Sequence, residues 1–445
     1  MPDFRLVADE LAEDIASGRL RPGDRLPPQR DFAYRRGIAP STAARVYAEL
    51  VRRGLVSGET GRGTFVRAAP APAGPILAEP ASAPVDLELN FAVLPGQEAE
   101  MARLLASMAR PAALGEALLP IGAVGTAAAR HATARFLARG GWTPDPAQIL
   151  FTGKGRHAIA AAFAALAPPG ERVGVEALAY PLVKGIAARL GITLVPIALD
   201  GQGLRPDALA RAHWQAPLRA VYMQPVLHNP LGIAMPPQRR AEIAAVLGAT
   251  GLVAVEDAIN AFLADEAPLT ALAPDRVVLV DSLSKRVAPG MALGFVVPPP
   301  ALVPTVAAAV RSGGWAASGL PLALGVRCMS DGTAERLATA KREDAAARQV
   351  LARAELQGLQ VQADPRAYHL WLELPEPWRA EAYVAAAARR GIAVAPAGAF
   401  AMAQGHAPNA VRVALSAPGG DVLATALRVL RRLAESDPDT VAGIE

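Results

Sequence analysis

Lysine is scarce in this chain of 445 residues. It stands only at positions 154, 184, 285 and 341, and arginine supplies the rest of the 45 basic residues. The distinction is chemical. A lysine amine can lose its proton and condense with a carbonyl to a Schiff base, whereas a guanidinium stays charged. Lys285 stands in Asp281-Ser-Leu-Ser-Lys-Arg-Val-Ala-Pro-Gly290, directly after the apolar run Arg276–Val280. That spacing puts an amine where a strand opens into a loop, facing a cleft. The six histidines (131, 157, 213, 228, 369, 406) are scattered without metal-ligand spacing, so no metal site is expected. Cys328 is the one cysteine, which excludes an internal disulfide framework.

The elements that must position such an amine can be read from periodicity. Apolar β-like runs alternate with helical patterns at Gln148–Phe151, Arg172–Val175, Thr193–Ile197, Ala220–Met223, Leu252–Val255, Val277–Val280 and Phe295–Val297. Such alternation predicts an α/β body with a largely parallel sheet. A long helix around Ala334–Leu356 opens a smaller C-terminal α+β lobe. With 52% hydrophobic and 19% charged residues, the chain can bury large cores and is not of the disordered class. No apolar run reaches the roughly 18 residues of a membrane span. The N-terminus lacks the layout of a signal peptide. A cytoplasmic location is therefore expected.

Residues 68–85 hold five prolines among small residues and read as a linker. It divides a domain of residues 1–67 from a body of residues 86–445, with a large lobe over about 90–330 and a C-terminal lobe over about 331–445. The first domain carries twelve arginines and no lysine against nine acids. Helical periodicity runs over Phe4–Ser17, Pro28–Arg36 and Ser41–Arg53. A hairpin with a Gly61-Arg62-Gly63 tip follows over Leu55–Val66. The order predicts a helix-turn-helix with a wing.

This domain closely resembles the winged helix of GntR-type repressors. The matching pieces are Ser17-Gly-Arg-Leu20, Pro22-Gly23, Leu26-Pro27, Arg30, Tyr47-Ala-Glu-Leu50, Gly54-Leu55 and Gly61-Arg-Gly-Thr-Phe-Val66. The resemblance implies binding of a double-stranded DNA operator through Arg30, Ser41, Thr42, Arg45, Arg62 and Gly63. Arginine serves there on phosphates or guanine edges. Ala39-Pro40 replaces the Ser-Arg common in that family, so operator preference does not transfer.

The body resembles the fold-type I pyridoxal-phosphate (PLP) enzymes, the aspartate aminotransferase superfamily, through its Ser-x-Ser-Lys-x-x-x-Pro-Gly stretch. That resemblance implies a Schiff base at Lys285 and assigns the other positions in order. Asp257 would hold the pyridine nitrogen protonated. Asn229, in Asn229-Pro-Leu-Gly232, would bond the ring oxygen, and Tyr180 would stack on the ring. Gly153, Lys154, Gly155 and Arg156, at a strand-to-helix turn, would cradle the phosphate; Ser282, Ser284 and Arg286 are further cofactor-binding candidates. Asn260 or Ile259 falls where relatives carry a tyrosine. Arg412 would clamp a substrate carboxylate.

Three departures gather around the phosphate. Ala292 stands where relatives have arginine, Asn260 or Ile259 where they have tyrosine, and Pro120 near a tyrosine that would come from a partner subunit. Lys154, Arg156 and Arg286 are the compensating candidates. Winged helix and body together resemble the MocR-type branch of GntR regulators. The resemblance implies a homodimeric transcription regulator sensing an amino compound by aldimine exchange at Lys285. An active aminotransferase with a fused DNA-binding domain, and a PLP-free regulator, are the alternatives.

Overall fold

The structure is a computed structural model, and it describes residues 4–16, 19–20, 24–53, 55–59, 63–66, 81–403 and 407–438. Arg62, the rest of the wing tip at 60–61, Gly18, Gly54 and linker positions 68–80 lie outside the described residues.

In the N-terminal domain, helices α1 (Phe4–Ala16), α2 (Gln29–Arg36) and α3 (Pro40–Arg52) precede a hairpin of β1 (Val56–Glu59) and β2 (Gly63–Val66). Apolar residues recur in α3 at Ala43, Val46, Tyr47 and Leu50, a spacing that lines one helical face. All four are buried with Val7, Leu11 and Phe32. Pro40 opens α3, where its missing N–H would have no intrahelical partner anyway. Gly37 closes α2 at φ 61°, a left-handed cap that a side chain would strain. The Tyr47 hydroxyl donates to the Pro27 carbonyl at 2.5 Å, and its ring meets Phe32 edge-on at 5.4 Å. These contacts fix the angle between the two helices.

The large lobe is a seven-stranded sheet. Its strands are β3 (Leu150–Thr152), β4 (Arg172–Glu176), β5 (Thr193–Ile197), β6 (Ala220–Met223), β7 (Val253–Asp257), β8 (Val277–Ser282) and β9 (Gly294–Val297). Their spatial order is β3-β9-β8-β7-β6-β4-β5, with β9 antiparallel to both neighbours. All six residues of β8 are buried. Layers cover both faces of a parallel sheet, so such strands read as unbroken apolar runs. Asp145 caps a turn at Pro146–Gln148 through its carboxylate, which moves the start of β3 to Leu150.

The carboxyl ends of β3, β6, β7 and β8 open on one edge, where α/β sheets bind ligands. Helix α4 (Gly155–Leu166) starts two residues after β3, and the short helix α5 (Leu283–Arg286) starts at the end of β8. The Ser282 hydroxyl caps α5 by accepting from the Ser284 N–H at 3.3 Å.

Helix α6 (Thr333–Glu355) leads into a four-stranded antiparallel sheet. Its strands are β10 (Gln360–Gln362), β11 (His369–Glu373), β12 (Ala395–Pro396) and β13 (Ala410–Ala414), in the order β10-β11-β13-β12. Helix α7 (Gly420–Glu435) covers it. Val85–Asp86 pairs in parallel with Ile392–Ala393, so the chain joins the C-terminal lobe before entering the large one.

Gly294 lies where β9 passes the start of α4. A Cβ there would come within 2.5 Å of the Thr152 hydroxyl and 2.6 Å of the Lys154 backbone. Gly294→Ala is expected to lower unfolding free energy by about 1–3 kcal/mol, as for overpacked cores. Denaturant unfolding measures this, and unchanged stability would contradict it.

Candidate functional site

A cavity of about 400 Å³ occupies the open sheet edge. Lys285 lines it, and its Nζ donates to the Asn260 Oδ1 at 3.0 Å. Burial first and the positive Arg412 second pull the Lys285 amine down to about 8, with Asp257 working the other way. The Phe91 ring centre lies 5.8 Å from the same nitrogen. The fully buried Lys341 Nζ donates to the carbonyls of Lys285 (2.9 Å) and Val287 (2.7 Å), which fixes the backbone on either side of Arg286.

Asp257 ends β7 inside the cavity. Its Oδ2 accepts from the Tyr222 hydroxyl at 2.5 Å and from the Gln224 amide at 3.0 Å. Its Oδ1 accepts from the Ile259 N–H at 3.1 Å. Burial raises this carboxyl, and the Tyr222 bond opposes the shift. Tyr180, Asn229, Ser282 and Ser284 line the same space, and the Asn229 Oδ1 is buried with no hydrogen-bond partner.

Arg412 reaches the cavity from the middle of the C-terminal sheet. One guanidinium nitrogen donates to the Glu88 carbonyl, and the group lies 5.2 Å from the Phe400 ring centre. Burial lowers it to about 10, against the attraction of Glu88 and Asp86. Lys184 supports this arrangement by donating to the carbonyls of Ala399 (3.0 Å) and Ala401 (3.1 Å), on either side of Phe400.

Lys154, Gly155 and Arg156 form the cavity wall at the start of α4. The first N–H groups of a helix have no intrahelical partner and favour an anion. Lys154 and Arg156 are exposed and make no ion pair among the described residues. Gly155 lets the loop approach Ser282, whose hydroxyl would lie 3.3 Å from an added Cβ.

Two sequence candidates are placed elsewhere. Gly153 donates its N–H to the Trp315 carbonyl at 2.9 Å and does not line the cavity. Arg286 turns inward to Asp281 at 2.5 Å and lies over the Phe136 ring at 4.6 Å. Asp281, one strand-end before Lys285, consumes that charge.

On the N-terminal domain, Arg30, Ser41 and Arg45 are exposed and Thr42 is half-buried. The outer face of α3 presents Ser41, Ala44, Arg45 and Ala48, small residues around one arginine. The Arg45 guanidinium lies 4.8 Å from the Phe4 ring centre. Gly63 takes φ 123°, and the Arg25 side chain packs where a Cβ would sit, 2.6 Å away.

A family model described as aminotransferase class I and II matches residues 95–430. The chain belongs to that family. Residues 5–66 match the model for bacterial regulatory proteins of the gntR family. The HTH-type transcriptional regulator YdeF of Bacillus subtilis is 30% identical, covering 97% of this chain and 94% of its own. The vitamin B6 salvage pathway transcriptional repressor PtsJ of Salmonella typhimurium is 27% identical over 85% of this chain and 87% of its own. Among solved structures, the α-aminoadipate aminotransferase LysN of Thermus thermophilus superposes with a TM-score of 0.72. It is 22% identical and covers 81% of this chain and 93% of its own.

The aminotransferase family fold accounts for the sheet edge, the loop carrying Lys285 and the lobe carrying Arg412. Sequence reasoning missed Tyr222 and Gln224, although their place at the end of β6 was a usable signal. It also missed Glu88, Asn90 and Phe91, which carry no local signature. Ala292, where the resemblance led us to expect an arginine, is half-buried beside Met291 and Leu293. Asn260 donates to the Leu227 carbonyl and accepts from Lys285. Among the described residues, no group of three or more His, Cys, Asp or Glu could hold a metal ion, and no helix is long and apolar enough to cross a membrane.

The depressed Lys285 amine has a measurable consequence. Its labelling by an amine-directed reagent, followed by mass spectrometry, should rise tenfold per pH unit and level off above about 8. A free lysine amine would keep rising to about 10.4. Continued increase beyond pH 9 would contradict the burial of this group.

Proposed function

We propose that the chain is a transcription regulator of the MocR type. Its winged helix binds operator DNA, and its aminotransferase-like body binds PLP and senses an amino compound. The observation that carries this is one cavity holding a low-pKa lysine amine, a buried carboxylate and a buried arginine, in a chain that begins with a gntR-type domain. The similarity to proteins named as transcriptional regulators supports the same assignment.

The residues present fit PLP. Asp257 would pair with the pyridine nitrogen, Asn229 with the ring oxygen, and Tyr180 would cover the ring. Lys154, Arg156, Ser284 and the first amides of α4 would hold the phosphate, the cations there being free of carboxylate partners among the described residues. The cofactor supplies an electrophilic carbon that amines attack. Lys285 presents the amine, Asn260 orients it, and Arg412 receives the acid group of the arriving compound. Persistence of PLP attachment in Lys285→Ala would overturn the assignment of that lysine. Turnover of an amino-acid and keto-acid panel would favour an active aminotransferase.

A homodimer in the cytoplasm completes the proposal. Leu114, Leu118 and Leu119 are exposed on the segment that begins at Pro111, and Gly319 packs on the carbonyls of Ala117 and Leu119, which brings the exposed Leu320 beside them. A contiguous apolar surface of this kind fits a second copy of the chain.

Two outcomes are expected. Lys154→Ala should weaken PLP by about 1.5–3 kcal/mol, the cost of a charged hydrogen bond, while Ala292→Arg should be accommodated and tighten it. PLP titration followed by visible absorbance measures both, and equal affinity of wild type and Lys154→Ala would refute the compensation.

The full-length protein should sediment as a dimer at micromolar concentration. Its DNA affinity should fall steeply with salt as counterions are released. Arg45→Ala should cost about 1–3 kcal/mol if Arg45 reads a base. Salt-insensitive binding, or undiminished binding by Arg45→Ala, would contradict this interface.

A further inference from the structure

The segment Glu88-Leu-Asn-Phe91 runs along the cavity wall. At one end the Glu88 carbonyl holds Arg412, and at the other the Phe91 ring faces the Lys285 amine. Between them lie two acceptors with no assigned role. Glu88 lines the cavity, and its carboxylate makes no ion pair or hydrogen bond among the described residues. The Asn90 Oδ1 is buried without a partner, on a residue 9% exposed that also lines the cavity.

The orientation of Asn90 follows from its neighbours. His369 Nε2 lies 2.9 Å from the His228 carbonyl, which can only accept, so Nε2 carries the proton. Burial and the charge of Arg412 hold this imidazole neutral, at about 3. Its Nδ1 is then an acceptor, and the Asn90 amide nitrogen donates to it at 3.3 Å. The Asn90 oxygen is left over as the acceptor. Burial also raises the Glu88 carboxyl, with Asp86 adding to the shift and Arg412 opposing it. A cation arriving beside Glu88 would offset that desolvation. A carboxylate and an amide oxygen together complement an ammonium group, which offers three donors and a positive charge.

We propose that Glu88 and Asn90 form a subsite for a second ammonium group on the effector, so that the body selects diamino acids. The ligand acid group goes to Arg412 and its first amine to the Lys285 end of the cavity. This rests on the amino-compound sensing proposed above, and it narrows the class of compound.

The test uses PLP-loaded full-length protein and calorimetric titration with three near-isosteric pairs. They are 2,3-diaminopropionate with 2-aminobutyrate, 2,4-diaminobutyrate with norvaline, and ornithine with norleucine. In at least one pair the diamino member should bind about tenfold tighter or more, a difference of roughly 1.4 kcal/mol. Glu88→Gln, which keeps the carbonyl that holds Arg412, should bring that ratio close to one without weakening the apolar member. Asn90→Ala should reduce the ratio, and Asn90→Asp, which keeps an acceptor, should restore it.

Equal or tighter binding of the apolar member in all three pairs overturns the subsite. So does Glu88→Gln tightening both members equally, since Glu88 would then be only a counter-ion that Arg412 uses when the cavity is empty. Failure of every amino acid to bind would remove the sensing function itself, and the subsite with it.

Discussion

The desolvation of the Lys285 amine sets the terms for the cavity around it. Desolvation disfavours its charged form, and the nearby Arg412 adds to the effect. Uncompensated, two basic groups at one site would be costly. Asp257 supplies the opposing charge without contacting the lysine, because Tyr222, Gln224 and the Ile259 N–H hold it at the end of its own strand. Asn260 accepts from the amine as a neutral partner, so the amine is oriented but not fixed in its charged form.

The other three lysines take their meaning from this one. Lys341 is buried beneath the loop and bonds the carbonyls on both sides of Arg286, which holds Lys285 on a short helix. Lys184 pins the segment whose Phe400 ring lies against Arg412. Lys154 stands at the rim on the first turn of a helix, where positive charge and unpaired amides coincide. Arg286 was the next candidate for that rim by sequence distance. It is instead spent on Asp281, because a buried carboxylate in the sheet needs a cation more than an exposed rim does.

Much of the fold was legible because its periodicities are strong. The winged helix follows from the spacing of Ala43, Val46, Tyr47 and Leu50, from Pro40 at a helix start and Gly37 at a helix end. The parallel strands follow from short unbroken apolar runs such as Val277–Val280, which only a sheet covered on both faces produces. Boundaries were less legible. A side-chain cap at Asp145 displaced the start of β3, and the hydrogen bonds of Val85 with the C-terminal lobe claimed a residue that composition assigned to a linker.

The sequence, through its resemblance to fold-type I enzymes, pointed to Lys285, Asp257 and Arg412 and to their order along the chain. Only the tertiary structure decided which way those side chains face. It turned Arg286 inward and Gly153 onto Trp315, and it brought Glu88 and Asn90, more than 190 positions before Lys285, to the same cavity. Local patterns encode backbone direction over a few residues. Which distant groups share a low-dielectric space depends on how two lobes and the segment between them close on one edge of a sheet.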